Sequence, residues 1–179
     1  MIGHYFAYGS NVNPARMRAR GISFKGAMGG ILPRYELRFN KRASHKNNIA
    51  YANIAYARDA RDGRVEGVLY QLERANDIEI MDQFEGNPVR YSREVYRIET
   101  GSGVVNAWVY VANRAMLAEG LLPERCYLNQ LIAGRQYHSD AYSQWLQSHP
   151  CVEIDSVEID SVEVESGLAT NGDGLIYNV

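Results

Sequence analysis

The chain has 179 residues, of which 46% are hydrophobic, 22% charged and 11% aromatic, so it is long enough for one well-cored domain and is not disordered throughout, collagenous or a membrane bundle. Nineteen Lys and Arg against 21 Asp and Glu leave a formal charge of −2, which by itself points to neither a nucleic-acid binder nor an acidic solvating protein. No apolar run approaches the ~18 residues of a membrane-crossing helix, and MIGHYFAYGSN lacks a basic region followed by a long apolar one; the expectation is a cytoplasmic protein with no membrane partner.

Ile2 to Tyr8 is aromatic-rich and runs into Gly9-Ser10-Asn11, a buried strand entering a tight turn. Pro14 then suits the first turn of a short helix that stops at Gly21. Strands are expected at Ile22 to Ala27, Tyr35 to Asn40, Ile49 to Ala57 and Val65 to Leu72, with turn residues between them. Arg74 to Glu85 reads as a helix with Ile78, Met81 and Phe84 on one face. Two more strands, Arg93 to Glu99 and Val104 to Val111, flank the turn Gly101-Ser102-Gly103. A helix beginning after Pro123 should end at Gly134, and Ser139 to Gln147 forms another. Many short strands with interspersed helices make an α+β domain, and so many strands close most economically into a barrel.

The near-neutral charge hides a break at Pro150. Residues 1–150 hold all nineteen basic side chains and fourteen acids, a net +5, while residues 151–179 hold seven acids and no base. The acidic part contains the repeat VEIDS-VEIDS-VEVES, whose five-residue period matches neither helix nor strand. We therefore divide the chain into a domain over 1–150 and an acidic C-terminal tail over 151–179. A solvated extension and a short extended segment pairing with the body are the two readings of that tail. The +5 body has scattered basic residues and no RNA-binding motif, so no nucleic-acid partner is expected. Cys126 and Cys151 have no CxxC spacing and the four histidines no paired-ligand pattern, so no metal is expected, and with no Walker or Rossmann pattern among the glycines of Gly26 to Gly30 no cofactor is expected either.

Three features could carry chemistry. A glycine directly after a buried strand lets successive N–H groups of Gly9 and Ser10 face one concavity and hold a carboxylate or oxyanion; the plainer reading is a turn with Asn11 or Asn13 as helix N-cap. Glu85, beside Phe84 and before Gly86, could sit on a cavity wall where desolvation raises its pKa. A solvated Glu is the alternative, although the helix dipole disfavours an acid in the last turn. Tyrosines beside these turns, Tyr8, Tyr91, Tyr110 and Tyr127, can line a pocket with ring and hydroxyl. The Lys41-Arg42 and His45-Lys46 cluster could touch an anion but reads first as solvated loop charge.

In order along the chain, several pieces resemble the γ-glutamylcyclotransferase family, including its AIG2-like members. These are FAYGSN (Phe6 to Asn11) with Arg16-Met17, Tyr51-Ala52-Asn53-Ile54, Val65 to Tyr70, Met81 to Gly86 with Tyr91 downstream, and Pro123 to Leu146. Met81 stands where leucine is usual, and Val12 where a longer aliphatic side chain is common. The resemblance covers most of residues 1–150 and none of the tail. It implies a small mixed β-barrel with flanking helices, and cyclisation of a small-molecule γ-glutamyl amide to 5-oxoproline with release of an amine. It implies Glu85 as the catalytic acid/base without a metal, and it makes Tyr8, Gly9, Ser10, Asn11, Tyr91 and Tyr127 the candidate substrate-binding residues. The reading from a different class is a catalytically silent binding module of the same fold with an acidic interaction tail.

Overall fold

The computed structural model describes residues 2–153. Within them lie β1 (His4–Ala7), α1 (Pro14–Ala19), β2 (Phe24–Pro33), β3 (Tyr35–Arg42), β4 (Ala50–Tyr56), β5 (Arg64–Leu72), α2 (Ile78–Glu85), β6 (Tyr91–Thr100), β7 (Gly103–Ala112), α3 (Arg125–Ile132) and α4 (Asp140–Ser148). Five strands close a barrel in the order β1-β5-β2-β6-β7, and β3 and β4 form a separate two-stranded sheet. Neighbours in the barrel are antiparallel except at the closure, where β1 meets β7 in parallel with Tyr5 opposite Trp108. The expected α+β architecture, a small mixed barrel with flanking helices, is the fold observed.

Phe6 explains why β2 differs from expectation. The glycines of Gly26-Ala27-Met28-Gly29-Gly30 suggest a break after Ala27, yet the strand continues to Pro33. Gly30 and Gly67 are cross-strand partners in β2 and β5. A Cβ on Gly30 would lie 3.3 Å from the Phe6 ring and one on Gly67 only 2.8 Å from it. These glycines make room for a fully buried aromatic side chain, so they mark close approach within a strand and not a loop. Around Phe6, Leu69, Tyr70, Val109 and Ile98 complete the buried centre.

Asn53 fastens the β3–β4 sheet to the barrel. Its Oδ1 accepts from the Ala112 amide at 3.0 Å, and its Nδ2 donates to Asn40 Oδ1 at 3.1 Å, so a buried amide is satisfied on both sides. This tie holds Ala52 beside Gly9, just past the end of β1. On the far side, the buried Glu66 accepts from the Ser139 amide and hydroxyl and so anchors the start of α4. Beyond Pro150 the chain still pairs with the body: Val152 bridges Glu124 in parallel, and Glu153 accepts from Arg125 Nε at 3.0 Å. The rest of the acidic tail lies outside the described residues.

Candidate active site

β1 ends where the chain turns through Gly9 into a single 3-10 turn, Ser10–Val12, and then enters α1. Asn13, not Asn11, caps α1, its Oδ1 accepting from the Ala15 amide at 3.0 Å. Asn11 is thereby free to turn inward, where it is only 3% exposed. Its Nδ2 donates to Glu85 Oε1 at 2.9 Å and to the Tyr5 hydroxyl at 3.0 Å. Of the two readings of this turn, the N-cap falls to Asn13 and the inward amide to Asn11.

Glu85 is the last residue of α2, and Gly86 ends that helix in the left-handed conformation at φ 64°. The carboxylate thus stands at the helix end, pointed back towards the β1 turn. Its side chain is 18% exposed, and Arg20 Nη1 lies 3.6 Å from Oε1. Burial pushes the Glu85 carboxyl above its ordinary range, against the opposing pull of Arg20, the Asn11 hydrogen bond, Arg90 and Lys41. Glu85 is thus a partly buried carboxylate with an amide and a guanidinium beside it, not a freely solvated one.

A small cavity of about 40 Å³ separates these elements, lined by Tyr5, Tyr8, Gly9, Ser10, Asn11, Ala52, Glu85, Tyr91, Tyr110 and Tyr127. Glu85 and the candidate substrate-binding residues Tyr8, Gly9, Ser10, Asn11, Tyr91 and Tyr127 all border it, whereas the Lys41-Arg42 and His45-Lys46 cluster does not. Tyr91 donates to the Ala52 carbonyl at 3.0 Å, Tyr127 accepts from the Ala52 amide at 3.1 Å, and Tyr8 donates to the Tyr110 carbonyl. Burial first, then the nearby Glu85 charge, holds the Tyr5 and Tyr8 hydroxyls well above the ordinary tyrosine range. Burial does the same for Tyr91, Tyr110 and Tyr127. The walls are consequently neutral phenols around one carboxylate.

Outside this niche, and sharing Ser10, Glu85, Tyr91 and Tyr127 with it, a vestibule of about 450 Å³ opens. Arg16, Arg20, Lys41, Lys46 and Arg90 line it, with Glu124 as the second carboxylate. Sequence reading missed most of this. Arg16 in α1 and Arg20, which caps its C-terminal end, are four apart, a one-face spacing that could have revealed them. Lys41 and Arg90 carry no such local signal. Lys41 corrects the reading of its cluster as solvated charge: it lies in β3 and is 2% exposed. Lys46 is half exposed and ion-paired to Glu124 at 2.7 Å. Among the described residues no group of three or more His, Cys, Asp or Glu side chains could hold a metal ion.

A family model described as gamma-glutamyl cyclotransferase, AIG2-like, matches residues 5–139, well over half of the chain. The chain belongs to this family. The matched segment contains every cyclotransferase candidate residue and stops before the acidic tail. Similar solved structures include the uncharacterized protein loc79017 from Homo sapiens, with a TM-score of 0.69 at 20% identity over 83% of this chain and 88% of that one. A structure called gamma-glutamyl cyclotransferase gives a TM-score of 0.67 at 20% identity over the same shares of the two chains. YkqA from Bacillus subtilis gives 0.69 at 21% identity, and there the match spans 55% of the other chain. At such identities the likeness establishes the cyclotransferase-like barrel alone. No curated protein matches the chain significantly.

Proposed function

We propose that the protein is a γ-glutamyl cyclotransferase that converts a γ-glutamyl amide to 5-oxoproline and a free amine, with Glu85 as the acid/base. The observation that carries this reading is the half-sequestered Glu85 carboxylate facing the Gly9-Ser10 turn across one small cavity. Family membership narrows the chemistry to which that arrangement applies.

The substrate α-ammonium must lose a proton before its nitrogen can attack the γ-carbonyl. Glu85, with its proton affinity raised by burial, takes that proton. Attack forms the new C–N bond of the five-membered ring and places negative charge on the carbonyl oxygen. The amide hydrogens of Gly9 and Ser10, at the strand-to-turn corner, are the donors for that oxyanion or for the substrate α-carboxylate. Collapse breaks the original C–N bond as protonated Glu85 gives its proton to the departing amine, and the regenerated carboxylate then takes the second proton from the ring nitrogen and passes it to that amine, which leaves as the ammonium. Closure is intramolecular, so most of the remaining task is to fold the glutamyl chain into the attacking conformer. The tyrosine-walled niche does this by shape. The catalytic unit on this reading is the domain over 1–150, and its metal independence follows from a mechanism that needs only a carboxylate and amide donors.

Glu85→Gln tests the assignment. The variant should fold and lose about 10²- to 10⁴-fold in 5-oxoproline release, measured chromatographically on a panel of γ-glutamyl amides. Release at the parental rate would remove Glu85 from the mechanism.

A further inference from the structure

The acidic segment of the chain starts at the rim of the vestibule. Val152 bridges Glu124 in parallel, its amide donating to the Pro123 carbonyl at 2.9 Å and its carbonyl accepting from the Arg125 amide at 3.0 Å. Glu153 is then held by the Arg125 guanidinium. Leu122 is itself bridged to Ile49 just before β4, so this anchor is tied into the β3–β4 sheet. Glu124 and Cys126 both line the vestibule. Because the pairing is parallel, the chain runs past Glu153 in the direction in which Glu124 leads to Cys126.

Five cations line the same vestibule. Arg20 is paired with Glu85 and Lys46 with Glu124, while Arg16, Lys41 and Arg90 have no ion pair among the described residues. Arg16 Nε is buried without a hydrogen-bond partner among them. Lys41 is 2% exposed, and its ammonium lies over the rings of Tyr51 and Tyr91, 5.2 and 5.6 Å from their centroids. A bulge in β3 puts it there: Phe39 pairs with Ala52, but the next partner, Tyr51, faces Lys41, with Asn40 as the extra residue. Cations held in this way attract any carboxylate that reaches them, and the α-carboxylate of a γ-glutamyl substrate is one such group.

The chain carries others. As a sequence, residues 154–179 hold six acids, Asp155, Glu158, Asp160, Glu163, Glu165 and Asp173, and no base. Each repeat unit sets its two acids two residues apart, a spacing that an extended backbone turns to one face. One unit of five residues spans about 17 Å when extended, so length does not limit the reach from an anchor on the rim. Tethering also makes the encounter intramolecular, at an effective concentration of about millimolar. We propose that the vestibule is a docking surface for this chain's own acidic segment, with residues 154–166 seated on its cations in competition with the substrate carboxylate. The docking stands on the anchor and the charges, and only its effect on turnover rests on the cyclotransferase reading above. A segment seated there raises KM and leaves kcat alone, and salt releases it by screening the charges.

Carbodiimide coupling on the full chain reads the contact without turnover, since it joins an amine to a carboxylate only where the two touch. The chain has three lysines, of which Lys25 and Lys46 are exposed, and only Lys46 of these two lines the vestibule. At low ionic strength Lys46 should couple to an acid within residues 155–165 and Lys25 should not, and the product should fall about fivefold in about 0.5 M NaCl. In a mixture of isotopically labelled and unlabelled chain the links should stay within one chain. Replacing the six acids together by Asn and Gln should lower KM for a γ-glutamyl amide about 3- to 10-fold at low salt with kcat unchanged, and the gap should close at high salt. Absence of the Lys46 link or equal coupling of Lys25 overturns the proposal. Links only between labelled and unlabelled chains, which put the segment on a second copy, overturn it too, as does a KM that the six replacements leave unchanged. Should no γ-glutamyl amide yield 5-oxoproline, the cyclotransferase reading fails, and the coupling pattern decides the docking by itself.

Discussion

The Asn11 side-chain amide donates to the Glu85 carboxylate at 2.9 Å across 74 positions of sequence. One hydrogen bond thereby links the turn after β1 to the end of α2. It orients the carboxylate and opposes the effect of burial on its proton affinity, and Arg20 adds to that opposition from the cap of α1. The site is a balance between desolvation, which favours a protonated Glu85, and two donors that favour the ionised form.

That balance has a consequence for stability. Because the folded pKa of Glu85 is raised above the unfolded value, folding favours the protonated acid. Stability is lost as pH rises from the unfolded pKa, about 4.3, through the folded one, and stays lower above it. Glu85→Gln should therefore have a higher Tm than the parent at pH 8. The difference should vanish near pH 4, and a pH series of thermal melts reads it directly.

Arg20 is the largest influence holding the Glu85 pKa down. Arg20→Ala should move the acidic limb of the kcat/KM profile to higher pH, since the base then stays protonated further up the scale. A limb that stays in place would show that another group controls it. The Arg20 guanidinium also stacks over Phe84 at 4.6 Å, so the conservative Arg20→Lys separates loss of packing from loss of charge.

Tyr127→Phe removes the acceptor for the Ala52 amide. An N–H left unpaired beside the niche costs about 1–3 kcal/mol, which denaturant titration should detect. The variant should also raise KM more than it lowers kcat, because the hydroxyl shapes the wall and does not carry the proton.

Gly86→Ala places a Cβ at φ 64°, where the Arg90 guanidinium already packs. The left-handed backbone alone costs about 1–2 kcal/mol for a residue with a side chain. Displacing Arg90 adds to this and disturbs the vestibule charge. Lower Tm together with reduced turnover is the expected outcome, measured by calorimetry and 5-oxoproline release.

The two residues of the opening relationship were both legible as candidates, Asn11 from a glycine turn after an aromatic strand and Glu85 from an acid placed just before a helix-ending glycine. The barrel was legible too, as many short strands in search of closure. The extent of β2 was not, because glycines read as punctuation until Phe6 is seen to need the space above Gly30 and Gly67. Lys41 escaped for a related reason. Its neighbours in sequence are Arg42, Ser44, His45 and Lys46, which look like solvated loop, while its neighbours in space are the rings of Tyr51 and Tyr91.

By itself the sequence determined several local events: where β1 meets its turn, where α2 stops, and where a +5 body gives way to an acidic repeat. Those follow from periodicity, glycine and proline chemistry, and counting. Only the tertiary structure decided the proton affinity of Glu85 and the grouping of Arg16, Lys41 and Arg90 around one vestibule. Both depend on burial and on Coulomb interactions between residues far apart in the chain, and these exist only once the barrel has closed and the β3–β4 sheet has been fastened over it.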